Sequence, residues 1–222
     1  MLQIAHRGSS TLYGDNNMTS FTKAIEQGFD MIELDVQLCK TGEVVIYHDT
    51  FIKDDYICNY TLTELKNMNI VTLHDFLKVI QPNKIKLFFD LKGNENVVIT
   101  LIDVLKKYIS NVDFYNIYIS SFNRKFVPIL MKLGVAVHIG FTSYNMHTLQ
   151  ELKVLTTYCS YVCLHWSALD AESISYLKTL KKLVFSFTCS NDTERRKMIQ
   201  YELDGVVTNY LLWTTEKIKE CD

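Results

Sequence analysis

The chain has no apolar run approaching the roughly 18 residues needed to cross a bilayer, so any association with membranes is expected to be peripheral. It also lacks a charged leader followed by an apolar stretch: Met1-Leu2-Gln3-Ile4-Ala5-His6 already reads as a first strand, and a cytoplasmic protein is expected. Only 2 prolines and 8 glycines occur among 222 residues, and no segment is rich in Pro, Gly or Ser. Linkers, low-complexity tracts and sequence repeats are therefore not expected, and residues 1–222 read as one domain. The cysteines Cys39, Cys58, Cys159, Cys163, Cys189 and Cys221 include no Cys-x-x-Cys pair and no repeated spacing, which argues against a zinc knuckle or a disulfide framework and for small apolar residues or free thiols. Neither charge sign dominates, with 23 Lys+Arg against 25 Asp+Glu. The lysines are scattered, so a nucleic-acid partner is not expected, and an anionic ligand must be captured locally.

What is present is a large apolar fraction, 48% of the chain, enough for a sizeable core. Short apolar runs at 2–5, 31–36, 84–91, 116–120, 135–141, 161–164, 183–187 and 205–207 read as strands. Between them, helical periodicity covers 19–27, 72–80, 96–109, 124–133, 146–155, 171–180 and 191–201, with a last helix near 212–219. Strand-helix alternation calls for parallel pairing. Eight such units at this length, without a glycine-rich dinucleotide fingerprint, fit an α/β fold of the closed (β/α)8 TIM-barrel type better than an open doubly wound sheet. An extra strand at 43–47, after the Thr41-Gly42 turn, is expected to form a hairpin with the end of the second strand.

Polar clusters recur where apolar strands end: His6-Arg7-Gly8, Glu33-Leu34-Asp35, His48-Asp49 and Asp90-Leu91-Lys92, with Asp15-Asn16-Asn17 in the first loop. In a strand alternate residues point the same way, so Glu33 and Asp35 can both face a barrel mouth. Two adjacent carboxylates are tolerated if a divalent cation neutralises them, and oxygen ligands favour magnesium or calcium; the other reading is a solvated acidic strand end. Asp90 and Lys92 repeat the spacing, Asp90 as a third oxygen ligand and Lys92 on a phosphate, unless they are an ordinary ion pair. Asp15 and Asn16 precede a helix and are either N-caps or part of the site. His6 and His48 can divide acid and base work, and Arg7 can stabilise phosphoryl oxygens; a single histidine at a strand end would more often be structural. His165, Trp166, Phe122, Phe187 and Tyr210 either line a wall for the organic part of a substrate or belong to the core.

At these residues the sequence resembles the glycerophosphodiester phosphodiesterase family. His-Arg-Gly, Glu-Asn-Thr before a helix, Glu-x-Asp, Lys-x-Gly and His-Asp of the family pattern read here as His6-Arg7-Gly8, Asp15-Asn16-Asn17, Glu33-Leu34-Asp35, Lys40-Thr41-Gly42 and His48-Asp49. The similarity continues through Thr72-Leu73, Asp90-Leu91-Lys92, Ser120-Ser121-Phe122, Phe187-Thr188 and Asp204-Gly205-Val206-Val207-Thr208, nearly the whole chain. Asp15 and Asp90 stand where the family has glutamates, Phe187 where tryptophan is common, and Thr208-Asn209-Tyr210 where Thr-Asp-x-Pro is usual. The short stretch between His48 and Leu73 corresponds to the compact form without a large inserted lid.

The resemblance implies a TIM-barrel hydrolase that cleaves glycerophosphodiesters, such as glycerophosphocholine or glycerophosphoethanolamine, to glycerol 3-phosphate and an alcohol. It implies His6 and His48 as the acid-base pair, Arg7 and Lys92 on the phosphate, and one divalent cation, Mg2+ or Ca2+, on Glu33, Asp35 and Asp90. Asp15 and Asn16 would order the first loop, with Phe187 on the substrate side. The alternatives are a lysophospholipase D acting on acylated substrates through the same residues, and an inactive barrel that binds glycerophosphate-like ligands.

Overall fold

The computed structural model describes residues 1–212, so the helix expected near 212–219 lies outside the described residues, as does Cys221. Eight parallel strands close on themselves: β1 (Leu2–His6), β2 (Met31–Leu38), β3 (Lys86–Leu91), β4 (Ile117–Ser120), β5 (His138–Ser143), β6 (Tyr161–His165), β7 (Leu183–Cys189) and β8 (Gly205–Thr208). Each pairs with its neighbours in chain order, and β8 returns to β1 with Leu2 opposite Gly205 and Ala5 opposite Thr208. The expected TIM barrel is therefore present, with helices between the strands. The strand at Val44–Ile46 pairs antiparallel with β2, Val36 opposite Ile46, as the Thr41-Gly42 turn suggests.

Alternation along the strands sorts side chains into two environments. Outward residues such as Ala5, Ile32, Leu34, Leu87 and Phe89 pack under the helices. Inward residues Ile4, Met31, Phe88, Tyr118, Tyr161, Phe185 and Val207 fill the barrel. Four of those rings interlock, with Tyr161 centred 5.1 Å from Phe185, 5.5 Å from Tyr118 and 5.7 Å from Phe88. Gly140 makes this possible, since a Cβ there would sit 2.5 Å from the Tyr161 ring. The barrel thus has an aromatic floor, and the inward positions one or two steps further along each strand form its mouth.

Several of the helices start where short polar side chains satisfy free backbone N–H groups. Asn17 and Ser20 form a capping box for the helix Met18–Glu26, and Thr148 and Glu151 do the same for Leu149–Leu155. Two α-helices were not expected: the short helix Ser10–Tyr13, and Leu62–Asn67, although its Thr61 and Glu64 form a capping box that the sequence displays. The fifth strand runs later than expected. Gly134 ends the preceding helix in the left-handed conformation (φ 60°) and Val137 N–H turns back to the Val135 carbonyl, so extended pairing starts at His138 and continues to Ser143. All five described cysteines are free thiols, four of them buried.

Candidate active site

β1 delivers His6, and the chain then turns sharply: Arg7 (φ 59°) and Gly8 (φ 83°) both lie in the left-handed region. Gly8 is required there, because a Cβ would meet Ser20 Oγ at 2.6 Å. The turn aims Arg7 at the acidic residues of β2. Its backbone N–H donates to Glu33 Oε2 at 2.9 Å, its Nε lies 3.2 Å from Asp35 Oδ2, and its Nη1 donates to Asp15 Oδ2 at 2.7 Å. Asp15 is the outer partner of Arg7, with 53% of its side chain exposed. Asn16, buried and at φ 51°, donates from Nδ2 to Asp35 Oδ2 at 2.9 Å. The N-cap role open to either residue belongs instead to Asn17.

β2 and β3 present the acids. Glu33, Asp35 and Asp90 are buried, and one oxygen from each lies within 4.8 Å of the others. Lys92 Nζ bridges two of them, 2.7 Å from Asp90 Oδ2 and 3.2 Å from Asp35 Oδ1. Burial disfavours charge on all three, and their mutual repulsion adds to it for Glu33 and Asp90. The Glu33 carboxyl is pushed well above the usual range and Asp90 up to about 6. For Asp35 burial is outweighed by Lys92 and Arg7, which hold it below the usual range. Burial likewise opposes the charges of Lys92 and Arg7, but the acids around them raise both. Were all three carboxyls ionised, the two cations would leave net negative charge in low dielectric, the setting that a divalent cation relieves. The donor set fits such an ion, and Asp90 Oδ1 is buried with no hydrogen-bond partner, an oxygen free to serve as a ligand.

His48 enters from the arm that follows Val44–Ile46. Gln37, the next inward position of β2, holds that arm by donating to the carbonyls of Tyr47 and Asp49, each at 2.8 Å. His48 Nδ1 pairs with Asp49 Oδ1 at 2.7 Å. His6 Nδ1 lies 2.6 Å from Asn209 Oδ1, just beyond β8. Burial, seconded by Arg7, pushes the His6 imidazole down to about 4, so it is neutral near pH 7.

One cavity collects His6, Arg7, Glu33, Asp35, His48, Asp90 and Lys92 on one side and Phe122, Tyr144 and Phe187 on the other. Asp15 and Asn16 do not line it; they hold Arg7 and Asp35 from behind. On the ring side Phe122 and Tyr144 stack at 5.0 Å, and Phe187 meets them edge-on at 5.7 and 5.1 Å. His165 packs on Tyr144 and Phe187, whereas Trp166 and Tyr210 pack in the core beneath the outer helices. Sequence reasoning missed Tyr144, Gln37 and the partnership of Asn209 with His6. Tyr144 continues the inward parity of Gly140 and Thr142, a signal hidden when the strand is ended at 141.

The chain matches the model of the glycerophosphoryl diester phosphodiesterase family over residues 6–212. The Bacillus subtilis protein YhdW is 27% identical, with 95% of each chain aligned. A glycerophosphodiester phosphodiesterase of Caldanaerobacter subterraneus subsp. tengcongensis is 25% identical over 94% of this chain and 93% of its own. Among solved structures, an Oleispira antarctica phosphodiesterase in complex with the product sn-glycerol-3-phosphate superposes with a TM-score of 0.83 at 26% identity, covering 95% of this chain and 93% of that one.

Proposed function

The chain belongs to the glycerophosphoryl diester phosphodiesterase family, a phosphoric diester hydrolase by that membership, and we propose that it hydrolyses glycerophosphodiesters of the glycerophosphocholine or glycerophosphoethanolamine kind to glycerol 3-phosphate and an alcohol. The observation that carries this reading is the convergence of two imidazoles, two cationic side chains and three buried carboxylates on one cavity. Glu33, Asp35 and Asp90 are the residues that would hold one divalent cation, Mg2+ or Ca2+, which when bound would polarise a phosphoryl oxygen. Arg7 and Lys92, fixed by Asp35, attract the phosphate into the cavity and offset charge that builds on its oxygens. His6 and His48 carry the proton traffic, one accepting from the attacking oxygen and the other donating to the leaving alkoxide. Each ring is held through Nδ1, by Asn209 and Asp49 respectively, which leaves the opposite nitrogen for this work. Phe187 and its neighbouring rings contact the organic part of the substrate.

Residence in the cytoplasm and a single domain over residues 1–222 belong to the same proposal; among the described residues no helix is long and apolar enough to cross a membrane. A second reading, lysophospholipase D activity, is favoured by one feature: the ring side of the cavity reaches solvent, with Tyr144 61% and Phe122 39% exposed, an apolar face on which an acyl chain could lie.

The deciding experiment is release of glycerol 3-phosphate from glycerophosphocholine by the purified protein with Mg2+, with Ca2+ and with excess chelator. Release that depends on the cation is the expected result. A folded protein that releases none with either cation overturns the proposal, and turnover of lysophosphatidylcholine alone would move the assignment to the second reading.

A further inference from the structure

Asn209 is anchored on every side. Its backbone N–H donates to the Cys189 carbonyl at 3.0 Å, its carbonyl accepts from Thr11 Oγ1 at 2.7 Å, and its Nδ2 donates to Ser190 Oγ at 3.1 Å. The remaining atom, Oδ1, faces His6 Nδ1 at 2.6 Å. An amide oxygen only accepts, so Nδ1 must carry a hydrogen. A neutral imidazole has only one N–H, which leaves Nε2 with a bare lone pair in the cavity that His6 lines.

We infer that Asn209 is a positioning residue for the reaction, locking His6 in the Nδ1–H tautomer so that its Nε2 enters the cycle as a proton acceptor. This rests on the reading above, in which His6 exchanges a proton with the substrate. His48 is held in another way: its Nδ1 faces the Asp49 carboxylate at 2.7 Å. The two histidines are thereby distinguished by the groups behind them, one neutral and one anionic. The low affinity of His6 for a second proton, set by burial and Arg7, agrees with a ring that starts neutral.

The test is long-range 1H–15N correlation on 15N-histidine-labelled protein near neutral pH, with the His6 signals identified by their loss in His6→Gln. The wild type should show His6 with the proton on Nδ1. Asn209→Ala should shift His6 toward the Nε2–H form and lower kcat by about 10- to 100-fold while KM changes less than about twofold. Asn209→Asp, which again offers an acceptor, should restore the Nδ1–H form and most of kcat. Should Asn209→Ala not fold, Ser190→Ala carries the same readout, because it frees the amide to flip and should yield a mixture of tautomers. An Nε2–H pattern in the wild type, or an Asn209→Ala protein with tautomer and kcat unchanged, overturns the inference. Lack of glycerol 3-phosphate release by the wild type would instead sink the functional reading, since the spectrum reports on Asn209 without turnover.

Discussion

The barrel mouth has two sides built on different physics. The ends of β1, β2 and β3, with the arm after β2, supply His6, Arg7, Glu33, Asp35, His48, Asp90 and Lys92; the ends of β4, β5 and β7 supply Phe122, Tyr144 and Phe187. On the first side nearly every group is fixed by another of opposite charge or by an amide, and Asp35, only 2% exposed, is shared by Arg7, Lys92 and Asn16. On the second side the rings hold one another through edge and face contacts and leave surface to solvent. Lys92 joins the two, its Nζ 5.4 Å from the centre of the Phe122 ring. Buried charges tolerate little variation because each lost partner leaves an uncompensated ion, whereas apolar contact is non-directional and accepts many shapes. The charged side is therefore suited to the invariant phosphate, and the ring side to the variable substituent.

The largest effect should come from the proton carriers. His6→Ala or His48→Ala is expected to lower kcat by about 10²- to 10⁴-fold in a protein that still folds, since neither ring belongs to the packed barrel interior. A folded variant with a near wild-type rate would break the division between the two sides at once.

Next comes the acidic cluster. Asp35→Asn should abolish most of the heat of Mg2+ or Ca2+ binding in a calorimetric titration, because it removes a ligand and the common partner of Arg7 and Lys92. Unaltered cation binding would contradict the ligand set. Protons compete with the cation for the same oxygens. The Asp90 carboxyl, raised to about 6 from an ordinary 3.8, stabilises the cation-free fold as the neutral acid, and this contribution is lost as pH rises through 6. His6 has the opposite sign: depressed to about 4, it costs stability as pH falls below its ordinary 6.5, where the unfolded chain takes up the proton first. Added cation should accordingly raise the melting temperature more above pH 6 than below it, read by thermal unfolding with and without chelator. An equal increment at both pH values would mean that Asp90 does not face the ion.

The smallest effect belongs to the rings. Tyr144→Ala should raise KM by about two- to tenfold with little change in kcat, and by different factors for different leaving alcohols. A loss confined to kcat would show that the ring side takes part in the chemistry and would erase the contrast.

How much of this was legible follows from how local each signal is. The charged side could be read because Glu33-x-Asp35 and Asp90-x-Lys92 display the strand period itself, and His6 and His48 close apolar runs. Tyr144 was lost because the end of β5 is set by Thr142 N–H pairing with the Ser121 carbonyl on the neighbouring strand, which no local pattern announces. Gln37 looked like one more strand residue until the returning arm gave it two carbonyls to hold. Asp15 and Asn16 were placed in the first loop, yet their partners Arg7 and Asp35 depended on the left-handed backbone at Arg7, Gly8 and Asn16.

By itself the sequence determined the strand-helix order, the eight-stranded parallel class and the acidic, basic and imidazole groups at the strand ends, because these follow from side-chain period and residue type; the family followed from the resemblance of its motifs. Only the tertiary structure decided the register at which β8 meets β1, Leu2 opposite Gly205, and with it that Asn209 meets His6 across 203 positions of the chain. The physical reason is range: period and propensity act over one turn or one strand, whereas strand register, charge compensation and the choice of tautomer are fixed by groups brought together only when the barrel shuts.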